Sequence, residues 1–206
     1  MSAATRERFQ SLFQRPAGDI YDRIVAGYAE PARHYHTLDH ISACLGELDR
    51  TEMAEGPRRL IELALWWHDA IYDPTKPDNE AKSAVLAREN LAAPGEDEGV
   101  IEEVARLIML TVGHSVPAGD VTGATMVSID LSILGRSPAV YDWYAGTVRA
   151  EYAHVPEAPF RAGRAMVMSR FLEAPYIFAD PAFRARFEDQ ARANIAREIA
   201  TLQAGA

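Results

Sequence analysis

The 206-residue chain contains a single cysteine, Cys44. One thiol excludes an intrachain disulfide and any zinc site built on several thiolates, and it fits a reducing compartment. Cys44 lies between Ala43 and Leu45 in a helical apolar pattern, where cysteine acts as a small buried hydrophobe rather than a nucleophile. No window approaches the roughly 20 apolar residues that a membrane-spanning helix needs. The segment Met1–Arg8 carries basic residues without a following apolar stretch, so no signal peptide is expected and the chain reads as cytoplasmic. Basic residues are also scarce: 21 Lys and Arg face 30 Asp and Glu, a formal net charge of -9. With no Lys/Arg run standing out, a nucleic-acid surface is not expected. Any anionic substrate must then be drawn in by local cations or a metal ion, against the global field. Sustained strand alternation, internal repeats and low-complexity segments are missing as well.

What is present fits one globular domain over residues 1–206, with 48% apolar and 25% charged residues. Phe9, Leu12 and Phe13, then Ile20, Ile24 and Val25, recur at three- and four-residue steps. They predict two amphipathic helices broken near Pro16-Ala17-Gly18, the second capped by Asp19 and ended by Glu30-Pro31. A third helix is expected from about Thr37 to Asp49, and a fourth from Gly56-Pro57 to near Tyr72. Asp78 or Asn79 caps a helix through Leu91, and Val100–Val112 forms the next. Pro117–Gly123 reads as loop, and Met126–Leu134 as a buried helix around Asp130. Pro138–Tyr152, Phe160–Leu172 and Pro181–Leu202 complete an all-α bundle of nine or ten helices.

The chemistry concentrates at Trp66-Trp67-His68-Asp69, directly after the apolar run Leu60–Leu65. A carboxylate buried without a partner costs several kcal/mol, so an Asp at this place implies a metal, another cation or a hydrogen-bond network. Partners are offered by Tyr35-His36-x3-His40, by Thr111-x2-His114, and by Asp130 within an apolar segment. Imidazoles and carboxylates without thiolates suit a divalent ion of the Mg, Mn, Fe, Co, Ni or Zn group and disfavour a structural zinc knot. Each residue also has a plainer reading: a helix-end His paired with a carboxylate for His68-Asp69, a cap or buried hydrogen bond for His40 and Asp130, and a His against a helix dipole for His114.

The order His … His-Asp … Asp on successive helices resembles the HD-domain superfamily of metal-dependent phosphohydrolases. Within it, Tyr35-His36-x3-His40, His68-Asp69 and Asp130-Leu131-Ser132 are similar to the pattern of cyclic-nucleotide phosphodiesterases. Further segments resemble a bacterial group of predicted HD phosphohydrolases over nearly the whole chain: Ala64-x2-Trp67-His68-Asp69-x2-Tyr72, Asp78-Asn79-Glu80-x2-Ser83-Ala84, Asp130-Leu131-x2-Leu134-Gly135 and Arg149-x-Glu151-Tyr152. The resemblance implies an HD-like helical bundle with His40, His68, Asp69 and Asp130 as ligands of one or two ions and His36 as general acid. The phosphodiesterases' large helical extension and purine-clamping glutamine are missing, which argues against cyclic nucleotides.

The implied reaction is hydrolysis of a phosphoester or phosphoanhydride in a small phosphorylated metabolite, a nucleotide being favoured. A divalent ion lowers the pKa of a bound water from about 16 towards about 7. Asp69 is the ligand placed to bridge a second ion, and Glu80 is expected to orient water or hold that ion's shell. Lys82 and Arg33 would offset substrate charge, Arg33 as the bidentate phosphate fork, with His114 a further substrate contact. Two other readings are a non-catalytic nucleotide- or metal-binding sensor and a di-iron oxygenase; the latter needs more histidines than His114 between His68-Asp69 and Asp130.

Overall fold

A computed structural model describes residues 2–204, and among them ten α-helices and one 3-10 turn occur without any strand. The all-α expectation holds. The helices are α1 Arg6–Ser11, α2 Ile20–Tyr28, α3 Leu38–Asp49, α4 Glu55–Trp67, α5 Asn79–Ala92, α6 Glu98–Met109, α7 Val121–Asp130, α8 Pro138–Glu151, α9 Glu157–Glu173 and α10 Pro181–Ala204. The 3-10 turn is Leu131–Gly135. No described helix is long and apolar enough to cross a membrane.

The chain falls into two compact units, residues 1–126 and 127–206, and the division lies inside α7. In the first unit α4 is central. It packs against α3, α5 and α6, and every residue from Ile61 to Trp67 is buried. A helical segment buried on all faces has to be wrapped, and these neighbours wrap it. Glu62 lies within that buried run, where Arg8 of α1 reaches it through Nε at 2.7 Å and Nη2 at 3.0 Å. The same guanidinium grips Asp49 of α3, so one arginine ties three helices.

In the second unit α10 packs against α9 and the 3-10 turn. Gly135 is required there, because a Cβ on it would stand 2.8 Å from the Phe187 carbonyl oxygen. Asn194 of α10 fastens the turn by donating to the Leu134 and Arg136 carbonyls at 2.9 and 2.8 Å. Tyr141, Arg164 and Glu198 form a polar contact linking α8, α9 and α10, with Arg164 Nε 2.9 Å from Glu198. Arg149 caps the end of α8 through the Tyr152 carbonyl at 2.7 Å and lies over the Phe160 ring, a structural task for a residue of the motif quoted above.

Several boundaries differ from the expectations. Asp19 stands at the start of α2 without capping it, because its carboxylate pairs with Arg23 at 3.1 Å. Asp78 likewise pairs with Lys82 rather than capping α5. The expected loop over 117–123 is partly helix: Asp120 accepts from the Gly123 N–H at 2.8 Å and starts α7 at Val121. Gly123 belongs inside that helix because a Cβ would stand 2.5 Å from Leu110 Cδ1.

Candidate metal centre

Two chain segments of the first unit carry the donors. Thr37 caps α3 with its hydroxyl accepting from the Asp39 N–H at 3.3 Å, so the helix begins at Leu38 and His40 sits in its first turn. His36 precedes the cap and is not helical. The second segment is the end of α4. The helix stops at Trp67, short of the expected Tyr72; the His68 N–H still reaches Ala64 O at 2.9 Å, and the Ala70 N–H then turns back to Trp67 O.

His68 Nδ1 lies 3.0 Å from the Leu65 carbonyl oxygen. A carbonyl only accepts, so Nδ1 carries the proton and the Nε2 lone pair faces outward. That lone pair meets His40 Nε2 at 3.2 Å and Asp69 Oδ2 at 3.0 Å, and His40 Nε2 stands 3.7 Å from the same oxygen. Three electron-rich atoms converging in this way repel one another unless a proton or a metal ion lies among them.

The spacing is informative. Donor atoms about 2.1 Å from a common ion stand about 3.0 Å apart at right angles and about 3.4 Å apart in a tetrahedron. His40 and His68, both buried, belong to a donor set that could hold a metal ion, and the Asp69 carboxylate adjoins them. Burial by itself would push the Asp69 carboxyl up. When the imidazoles are protonated, the charges of His68 and His36, the hydrogen bond that His68 then donates through Nε2 and the charge of His40 outweigh it and hold that carboxyl below the ordinary carboxylate range. Asp130, the remaining expected ligand, is the last residue of α7 in the second unit and is half-buried.

His36 stacks on Tyr72, ring centroids 4.1 Å apart and planes 25° from parallel, and its ring lies 6.1 Å from that of His40. Cys44 is buried with Sγ 3.8 Å from His40 Nδ1, as expected of a small hydrophobe in the core. Glu80 is half-buried in the first turn of α5 and makes no ion pair among the described residues. Lys82 is exposed and paired with Asp78 at 2.9 Å. His114 follows Gly113 in a turn where both residues have positive φ, 72° for the glycine and 56° for the histidine.

Arg33 differs from its expected role as a phosphate fork. Its side chain is 1% exposed, and its N–H groups go to the backbone carbonyls of His36, Asp69 and Ala70 and to the Glu30 carboxylate. The motif around Asp78 also hides two braces that residue chemistry alone did not single out. Asn79 accepts from the Asp73 N–H at 3.0 Å and donates to the Asp73 and Lys76 carbonyls, closing the loop after the site. Ser83, fully buried, accepts from the Ile71 N–H at 3.0 Å. Compared with family models, with curated proteins and with solved structures, the chain finds no match in any of the three.

Proposed function

We propose that the chain is a metal-dependent phosphohydrolase of the HD type, acting on a small phosphorylated metabolite of the nucleotide class. The observation that carries the reading is the meeting of His40 Nε2, His68 Nε2 and Asp69 Oδ2 at separations suited to one ion. The motif order that resembles HD phosphohydrolases supports it. Imidazole and carboxylate donors favour Mn, Fe, Co, Ni or Zn, with Mg the harder alternative.

A divalent ion held by His40, His68 and Asp69 would supply water activation near neutral pH and charge neutralisation at a phosphoryl oxygen. His36 then gives a proton to the leaving oxygen, its ring plane set by the stack on Tyr72. Glu80 orients the attacking water. Lys82 exchanges Asp78 for the substrate phosphate; an exposed ion pair is worth at most about 1 kcal/mol, so a doubly charged phosphate displaces the carboxylate readily. His114 contacts the substrate from its left-handed turn.

The test is phosphate release from a panel of nucleotides and phosphomonoesters with Mn, Co, Ni and Mg. Asp69→Ala is expected to lose both metal and turnover. His36→Ala is expected to keep the metal and lose about 100-fold or more in rate. Nucleotide binding without turnover in every metal refutes the enzymatic reading in favour of a sensor, and oxygen uptake with two irons refutes it in favour of an oxygenase.

A further inference from the structure

We propose that Arg33 is the positioning residue of the candidate metal centre, acting through the peptide carbonyls on either side of it. The proposal rests on the metal reading above and names how the ligands are held.

Arg33 lies just before α3, and its guanidinium is turned inward. Nη1 donates to His36 O at 3.3 Å and to Asp69 O at 2.5 Å, while Nη2 donates to Ala70 O at 3.0 Å. One planar group therefore links the entry to α3, which delivers His36 and His40, to the exit from α4, which delivers His68 and Asp69. The Asp69 and Ala70 carbonyls have left the helix and need donors from elsewhere. A buried carbonyl left without one is destabilising.

The guanidinium also lies over two rings, with Cζ 5.1 Å from the Tyr28 ring centre and 5.6 Å from that of Tyr72. Tyr72 is the ring on which His36 stacks, so the same cation steadies the proton donor. Gly27 completes the pocket: a Cβ there would stand 3.2 Å from Ala70 O, the oxygen that Arg33 holds. Only a planar fork reaches three carbonyls on two segments. A lysine ammonium is one point of charge and satisfies at most part of the set.

The experiment is a cobalt(II) titration of the full chain followed by the visible d–d bands, which report ligand geometry. Wild type, Arg33→Lys, Arg33→Ala and His68→Ala are compared. Both Arg33 variants are expected to keep the metal-free helical circular dichroism. Both should bind cobalt about 10- to 100-fold more weakly, with shifted bands, as ligand-orienting partners do. Millimolar guanidinium should restore affinity and spectrum to Arg33→Ala and leave His68→Ala unchanged.

Wild-type affinity and bands in both Arg33 variants overturn the proposal while the metal reading stands. Loss of helical circular dichroism in both variants also overturns it, since Arg33 then serves the fold at large. A wild type that takes up no cobalt, or His68→Ala that binds like wild type, refutes the metal reading itself.

Discussion

Phe9→Ala tests whether the short first helix is part of the platform on which the His68-Asp69 pair rests. Phe9 is fully buried, and its ring lies 5.1 Å from Trp66, edge to face, and 5.6 Å from Trp67. Phe13 and Tyr21 stand at 5.2 and 5.6 Å. Removing a buried phenylalanine costs about 3–5 kcal/mol, less where the surroundings collapse into the gap. Here collapse is opposed from both sides. The tryptophans belong to α4, wrapped by three helices, and α1 is pinned by the Arg8 grip on Glu62 and Asp49. The expected cost is therefore about 4 kcal/mol, which for a protein of this size lowers the midpoint of the affected transition by about 8–16 °C. Thermal and urea unfolding followed by near-ultraviolet circular dichroism reads it, because Trp66 and Trp67 are two of only three tryptophans. The pinning makes a sharper test. In an Arg8→Ala background α1 is released, the gap closes, and the Phe9→Ala cost should shrink by about 1 kcal/mol or more. A Phe9→Ala cost below about 2 kcal/mol in the wild-type background, or one unchanged by Arg8→Ala, refutes the argument.

Saturating cobalt or manganese at about 100 times its dissociation constant should stabilise the wild type by about 2.7 kcal/mol and His68→Ala hardly at all, read by differential scanning calorimetry. Burial raises the Tyr28 and Tyr141 hydroxyls, with Asp69 adding to the first and Glu198 to the second. Their stabilisation is complete below the ordinary tyrosine value near 10 and is lost as pH rises above it. Phenolate absorbance should thus show both titrating only with unfolding, and Tyr141→Phe should flatten the alkaline fall in stability. His114→Gly should relieve left-handed strain, raising stability by up to about 1 kcal/mol, while phosphate release falls if the turn presents the imidazole to substrate. Gly135→Ala should destabilise the second unit by about 1–3 kcal/mol in urea melts, since the new methyl meets the Phe187 backbone.

The parts of this fold that the sequence discloses are those decided locally. Apolar periodicity marks α4 without ambiguity, and Pro138 and Pro181 open α8 and α10 where a proline at a first turn should. His40, His68 and Asp69 stood out because polar donors amid residues that can only be core demand partners, and the structure brings these three together. What escaped the sequence depends on a distant group. α4 could have run to Tyr72 on its own pattern; it stops at Trp67, and the carbonyls thereby freed are the ones Arg33 takes up from another segment. Asp120 looks like one more loop acid beside Pro117 and Gly119, yet Arg106, 14 residues away, holds it at 2.6 Å while it starts α7. The destination of Arg33 is hidden for the same reason. Nearness in sequence to His36 announces a positive charge but not its destination, and a guanidinium has the reach to serve either substrate or backbone. The deciding fact is that the turn after α4 leaves carbonyls unpaired beside it, which is a property of the assembled first unit rather than of any stretch of residues.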